Sequence, residues 1–129
     1  MPVTVYRLPE EPVLIATFSG DINRDTLLDM YRRSDSLLHD DDIYVYRISD
    51  FRHMETSIQE ALQALADLKT DMPGSPADTR IQSVLLGNNK LTRIARDSVL
   101  HLHDVEIPVF EKMGEARRYI QVQIARNAS

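Results

Sequence analysis

The chain is 129 residues long, carries a net charge of −5, and is 43% hydrophobic and 27% charged. This length and composition predict a single globular domain over residues 1–129, and the acidic charge disfavours nucleic acid and anionic membranes as partners because both need a basic face. The absence of cysteine excludes disulfides, thiol catalysis and zinc–thiolate sites.

Hydropathy along the chain bears on its compartment. Residues 1–12 have neither the basic region nor the apolar region of a signal peptide. No apolar run approaches the ~20 residues that a transmembrane helix needs. We therefore predict a cytoplasmic protein without a membrane span.

The chain opens with a predicted β-hairpin. Val3 to Leu8 alternates weakly, and Val13 to Phe18 is a run of β-branched and aromatic residues. Residues 9–12, Pro-Glu-Glu-Pro, separate the two runs and predict the hairpin loop.

A helix and an acidic turn follow the hairpin. Asn23 or Asp21 is a candidate N-cap for a helix over residues 24–38, whose apolar residues recur at helical spacing. Residues 39–42, His-Asp-Asp-Asp, carry groups that bind divalent cations, but their spacing matches no calcium loop. We favour a solvated turn and predict no metal site.

The third strand and the helix after it lie at the centre of the predicted fold. Residues 43–50 are nearly all large, which is typical of a strand covered on both faces. Arg47 interrupts this run, either as an edge-facing side chain paired with a carboxylate or as part of a site at the strand's end. Thr56 or Ser57 is a candidate N-cap of the next helix, and Ser57-x-x-Glu60 fits a capping box.

The remainder of the chain alternates between strand and helix. Residues 81–86 predict the fourth strand, and residues 90–102 predict a helix. Residues 105–110 predict a fifth strand, which Pro108 places at an edge because proline cannot donate to a ladder. Residues 115–124 predict the final helix.

Gly87, Asn88 and Asn89 lie between the fourth strand and its helix. Backbone amides at such a position can bind an anion. The phosphate-loop and dinucleotide patterns are both absent. A tight turn followed by an N-cap is therefore the favoured interpretation, and anion binding is the alternative.

The element order β-β-α-β-α-β-α-β-α predicts the fold class. It indicates an α/β fold with a mixed, mostly parallel five-stranded sheet, four helices and one antiparallel strand from the opening hairpin. Sites in such sheets lie beyond the carboxyl ends of the strands. The element order alone does not determine the strand order.

One segment resembles a known family. Residues 47–59, R-I-S-D-F-R-H-M-E-T-S-I-Q, are similar to the segment D-L-S-G-V-S-F-M-D-S-S-G-L that follows the third strand of STAS domains, the fold of anti-sigma factor antagonists and of sulfate transporter tails. The residues that fit by identity or type are Ile48, Ser49, Met54, Glu55, Thr56 and Ser57. Residues 105–116 also resemble the last strand and helix of stand-alone STAS-like proteins, and the element order extends the resemblance over nearly the whole chain.

The resemblance implies an interaction module gated by phosphorylation. The second hydroxyl residue of the family motif is the phosphoacceptor, and it falls on Ser57. A phosphate at a helix N-terminus can create or abolish a docking surface. The sequence departs from the motif at Ile58, where the family has glycine, and at Arg47, where the family has aspartate. A plain helix N-cap is therefore the favoured interpretation of Ser57, and the phosphoacceptor that the resemblance implies is the alternative.

Two hypotheses of function follow. The first is a small regulatory module that docks a protein partner, either an anti-sigma-like kinase or a second copy of the chain in a homodimer. The residues predicted for this surface, besides Ser57, are Arg47, Asp50, Arg52, His53, Glu55, Thr56 and Glu60. The second hypothesis is a module that binds a nucleotide or lipid at the carboxyl ends of the strands, near Arg47 and Gly87 to Asn89.

An enzyme is a third hypothesis, and the sequence disfavours it. Ser57, His53 and Glu55 lie within one short loop and helix cap, where the hydrogen-bonding order of a catalytic triad is hard to arrange. The chain also lacks a nucleophile-elbow pattern. We therefore expect no catalytic residues and no cofactor.

Overall fold

The computed structural model describes residues 3–55, 60, 63, 64, 66, 72–87, 90–103 and 106–127. These residues form a five-stranded sheet with helices packed against both of its faces. The strands are β1 (Val3–Arg7), β2 (Val13–Gly20), β3 (Val45–Met54), β4 (Ile81–Leu86) and β5 (Val109–Phe110). The helices are α1 (Arg24–Ser36), α2 (Lys90–His103) and α3 (Met113–Asn127).

The strands lie in the sheet in the order of the chain, β1-β2-β3-β4-β5. β1 is antiparallel to β2, and every other pair of neighbours is parallel. The predicted α/β class, with one antiparallel strand from the hairpin, is therefore confirmed. β5 is an edge strand, as Pro108 predicts, although pairing is confined to Val109 and Phe110 and the proline precedes the strand.

The third strand differs from its predicted range. Ile43 is 86% exposed and lies outside the strand, while β3 continues to Met54. The continuation depends on a distant partner, since Ser19 and Gly20 at the end of β2 pair with His53 and Met54 beyond an irregularity in the register. Arg47 therefore lies in the first half of β3 and not at its end.

The predicted helix after β3 falls mostly outside the described residues. Glu60, Gln63, Ala64 and Ala66 are helical. Thr56 and Ser57 are outside the described part of the chain, as are Asn88 and Asn89 after β4. None of the helices within the described ranges is long and apolar enough to cross a bilayer.

The sheet has a hydrophobic core on each face. Residues of α1 and α2 pack on one face against Ala16, Phe18 and Leu85, and residues of α3 pack on the other face. Right-handed crossovers between neighbouring parallel strands account for this arrangement, because they place successive connecting helices on the same side. All six residues from Val45 to Asp50 are buried, as expected for a strand that is covered on both faces.

Polar contacts fix the hairpin and the first helix. Asn23 is the N-cap of α1: its Oδ1 accepts from Thr26 N at 3.0 Å, and Thr26 Oγ1 accepts from Asn23 N at 3.3 Å. Arg7 of β1 donates to both carboxylate oxygens of Asp42, at 2.8 and 3.0 Å. Asp42 Oδ2 also accepts from His39 N at 2.7 Å, so the acidic turn is fastened to the sheet.

Candidate functional site

Arg47 is the largest fully buried side chain of the described residues, with 1% of its surface exposed. The alternation of β3 places it on the sheet face that α1 covers, next to Ser83 of β4 in the parallel register. The expectation that Arg47 is an edge-facing, carboxylate-paired or partner-contacting residue is therefore wrong. Burial on both sides of β3 keeps it away from the molecular surface.

Neutral oxygens hold the Arg47 guanidinium. Its Nη1 donates to the Gly74 carbonyl and to Ser34 Oγ at 3.3 Å, and its Nη2 lies 3.5 Å from Ser83 Oγ. No carboxylate within the described ranges forms an ion pair with it. Burial lowers the pKa of Arg47 to about 10, with the nearby Tyr31 and Asp78 opposing that shift, so the side chain still carries a positive charge at neutral pH.

The loop that supplies the Gly74 carbonyl is built around this contact. Gly74 has a φ of 82° and donates its N–H to Asp78 Oδ2 at 2.8 Å. Asp78 in turn binds Arg80 through both carboxylate oxygens, at 3.0 and 2.6 Å. Burial raises the pKa of Asp78, but hydrogen bonds from Arg80 and from the amide of Gly74 outweigh it and lower the pKa to about 2. The loop therefore joins the buried Arg47 to a charged pair at the surface.

A cavity of about 70 Å³ lies beside Arg47, between the sheet and the helices of that face. Its polar lining comes from Arg47, Tyr31, Ser49 and Ser83. The rest of the lining is mainly apolar and includes Leu27, Met30, Phe51, Met54, Leu85 and Val99. The Phe51 ring stacks on Phe18 with a 4.8 Å separation of centroids, which fixes one wall.

Two buried polar atoms of residues that line the cavity lack hydrogen-bond partners among the described residues. They are Arg47 Nε and the Tyr31 hydroxyl. Tyr31 belongs to α1, is 1% exposed, and has its ring centroid 6.0 Å from the Arg47 guanidinium carbon. Burial raises the pKa of Tyr31 to about 12, although the Arg47 charge opposes this, so the phenol is neutral at pH 7. An unsatisfied buried donor costs about 1–3 kcal/mol, so two such donors on residues that line the same cavity are unusual in a folded protein.

The carboxyl end of β3 presents a second group of predicted residues. Asp50 is 3% exposed, and its carboxylate accepts three hydrogen bonds from Arg52: from N at 3.0 Å, from Nε at 3.0 Å and from Nη2 at 2.9 Å. Arg52, His53 and Glu55 are exposed. Asp50 therefore does not form the surface contact that the sequence predicts, because its carboxylate is covered. It positions the Arg52 guanidinium instead.

Other predicted site residues are separated from these two groups or lie outside the described part of the chain. Gly87 is buried, and its N–H donates to the Phe110 carbonyl at 2.9 Å, so it cannot bind an anion as predicted. Glu60 is exposed on a helical residue beyond β3. The remaining four, Thr56, Ser57, Asn88 and Asn89, are not described.

Sequence reasoning missed the roles of Tyr31, Ser83 and Gly74. Tyr31 fits the apolar stripe of α1 and is indistinguishable there from an ordinary core residue. Ser83 and Gly74 become relevant only because the sheet and the loop bring them to Arg47 from 36 and 27 residues away. The one local signal was Arg47 itself, a cation inside an otherwise strongly apolar strand.

Comparisons with known proteins define the fold. No protein-family model matches the chain, and no curated protein does. Among solved structures, it is similar to an uncharacterised protein of the DUF3478 family with a SpoIIAA-like fold, from Shewanella loihica PV-4. The TM-score is 0.60 with 14% sequence identity, over 91% of this chain and 90% of the other. The chain therefore has a SpoIIAA-like, or STAS-like, fold, which confirms the resemblance found in the sequence.

Proposed function

We propose that this protein is a small regulatory binding module of STAS-like fold that docks a protein partner at the carboxyl end of β3. The observation that carries the proposal is the fixed Arg52 guanidinium, held at a partly exposed position by the buried Asp50. Hydrogen bonds to Asp50 raise the pKa of Arg52, so its charge is permanent. A preorganised cation favours recognition because little side-chain entropy is lost on binding.

The partner in this proposal is an anti-sigma-like kinase or a second copy of the chain, acting in the cytoplasm. His53 and Glu55 complete an exposed polar surface with Arg52. Ser57 follows two residues after Glu55 in the sequence, and a phosphate there would add close to two negative charges to this segment of the chain. Such a modification would change the charge of the docking surface and thereby gate it.

The test is an affinity capture from lysate of the source organism with matched variants. His53→Ala/Glu55→Ala removes one basic and one acidic exposed side chain and leaves the Asp50–Arg52 pair intact. Glu115→Ala/Arg118→Ala likewise removes one acidic and one basic exposed side chain, from α3, and serves as the control. We expect a partner that wild type and the control retain and that His53→Ala/Glu55→Ala loses. Equal capture by all three proteins would contradict the assigned surface.

Two further measurements test phosphorylation and self-association separately. Ser57→Asp should abolish capture if phosphorylation gates docking, whereas unchanged capture would leave Ser57 as a helix cap. Sedimentation velocity of wild type and His53→Ala/Glu55→Ala tests self-association. A dimer that only the wild type forms would identify a second copy as the partner.

The cavity beside Arg47 favours a second candidate function, the binding of a small ligand. A mostly apolar cavity with a few convergent polar atoms is the usual form of a small-molecule site. A ligand that binds the native state alone raises the melting temperature, by an amount that grows with the logarithm of the ratio of its concentration to its Kd. Thermal-shift measurements across small acids, amides, alcohols and nucleotides test this function, and a panel without any shift would contradict it.

A further inference from the structure

We infer that the cavity binds a short-chain monocarboxylate, whose carboxylate accepts hydrogen bonds from Arg47 Nε and the Tyr31 hydroxyl. The inference rests on the second candidate function and specifies its ligand. The inferred ligand is an acid whose small apolar part lies among Met30, Phe51 and Leu85.

The charge of the cavity favours an anion. Arg47 is fully buried and positively charged, and its described partners are the neutral oxygens of Ser34, Gly74 and Ser83. Buried charges in proteins are normally paired, because desolvation of a lone ion costs several kcal/mol. The fixed carboxylate that acts on Arg47 over a longer range, Asp78, is already bonded to Arg80. One uncompensated cation calls for a single negative charge.

The donors present favour a carboxylate over a phosphate. Arg47 and Tyr31 both line the cavity, and neither Arg47 Nε nor the Tyr31 hydroxyl has an acceptor among the described residues. A carboxylate offers two oxygens and one charge, which match two donors and one cation. A phosphate has more acceptor oxygens and close to two charges, and the mainly apolar lining does not satisfy them.

The volume limits the size of the acid. An apolar cavity of roughly 150 Å³ holds benzene, and this cavity measures about 70 Å³. Butyrate has as many non-hydrogen atoms as benzene, so only the smallest acids, formate and acetate, match this volume, whereas longer chains must displace the side chains of the lining. Close packing of protein interiors makes that displacement unfavourable.

The experiment titrates the full chain with acetate, propionate, butyrate, hexanoate and octanoate, each against its neutral amide, by calorimetry at neutral pH. The ratio of the amide Kd to the acid Kd measures recognition of the charged head group. We expect a ratio of about tenfold or more for the short acids. We also expect affinity to fall from acetate to octanoate.

Two variants assign the binding to the named atoms. Tyr31→Phe keeps the ring and removes one donor, and should weaken the acid about tenfold while the amide is unchanged. Tyr46→Phe is the matched control, because Tyr46 is also buried but packs on the opposite face of the sheet. Arg47→Met should abolish the preference for the acid. If Arg47→Met does not fold, the comparison of Tyr31→Phe with Tyr46→Phe decides the question alone.

The outcomes separate the two proposals. Equal affinity for acid and amide, or a Tyr31→Phe protein that binds the acid as well as wild type, would overturn the monocarboxylate inference and leave ligand binding in place. No binding of any acid or amide would overturn the inference, and a blank thermal-shift panel would then overturn ligand binding as well. In that case water alone occupies the cavity.

Discussion

Replacing Gly74 with alanine is expected to destabilise the fold more than any other glycine-to-alanine change compared below. Gly74 has a φ of 82°, a conformation in which a side chain is strained. A Cβ at this position would overlap the Tyr31 carbonyl oxygen and lie 2.8 Å from the Tyr31 carbonyl carbon. Both atoms belong to the backbone of α1, so no change of rotamer relieves the overlap and the loop must retreat.

The expected magnitude combines three contributions. The left-handed conformation costs about 1 kcal/mol for alanine. Retreat of the loop breaks the hydrogen bond from the Arg47 guanidinium to the Gly74 carbonyl, and a bond from a charged donor contributes about 1.5–3 kcal/mol. The smaller entropy of alanine in the unfolded chain returns about 0.4–1 kcal/mol. We therefore expect Gly74→Ala to lower the free energy of unfolding by about 1.5–3.5 kcal/mol, a large part of the usual total of about 5–15 kcal/mol.

Urea unfolding followed by circular dichroism measures this loss, and two other glycines serve as controls. Gly20 has a φ of 67° with nothing within 4 Å of an added Cβ, so backbone strain of about 1 kcal/mol is largely offset by the smaller entropy of alanine in the unfolded chain, and Gly20→Ala should cost at most about 0.6 kcal/mol. Gly114 lies in α3 with open space and no positive φ, so Gly114→Ala should leave stability unchanged or raise it by about 0.5 kcal/mol. A Gly74→Ala loss no larger than that of Gly20→Ala would refute the close contact between the loop and α1.

Three further predictions concern ionisable groups. Hydrogen bonds from Arg7 lower the pKa of Asp42 to about 2, against an ordinary value of 3.8. The ion pair therefore stabilises the fold fully above about pH 4, and this stabilisation is lost as the pH falls through about 2. Asp42→Asn should lower the free energy of unfolding by about 1–2 kcal/mol at pH 7, and unfolding measured in acid should show a smaller difference from wild type. Burial raises the pKa of both Tyr31 and Tyr46 to about 12, so Tyr31→Phe and Tyr46→Phe should each remove a phenolate absorbance step at that pH, measured below the pH of unfolding. Without ligand, Tyr31→Phe should raise the free energy of unfolding by about 1 kcal/mol, because it removes a buried hydroxyl that has no partner among the described residues. Tyr46→Phe should not raise it, since the Tyr46 hydroxyl accepts a hydrogen bond from Asn127 at 3.1 Å. The denaturant midpoints of the two variants measure the difference.

Local patterns predicted most of the strands and helices because each has a distinct period. The run from Ile81 to Leu86 gives β4 its full length, and the apolar spacing after Asn23 gives α1 to within two residues of its end. The sequence did not predict the last four residues of β3, for a physical reason. Arg52 and His53 are polar, and they continue the strand only because the end of β2 offers backbone partners to this segment.

The candidate site was less predictable than the fold, because it depends on contacts between distant parts of the chain. A cation in a strand is ordinarily assigned to the surface, since lone buried charges are costly. Arg47 is buried because Ser34, Gly74 and Ser83 converge on it from α1, the loop and β4. No hydrophobic periodicity in the sequence indicates that these three residues meet at Arg47. Likewise, the sequence marks Asp50 as an available acid, and only the geometry shows that Arg52 covers it.

The two edges of the Arg47 side chain have different roles in this structure. Nη1 binds Ser34 and the Gly74 carbonyl and so fastens the loop to α1, whereas Nε is buried without an acceptor among the described residues. A purely structural role accounts for the first edge but not for the second, because satisfying every donor would stabilise the fold further. It also leaves the unpartnered Tyr31 hydroxyl on the same cavity unexplained. The inferred carboxylate ligand would accept hydrogen bonds from both donors and so account for them together.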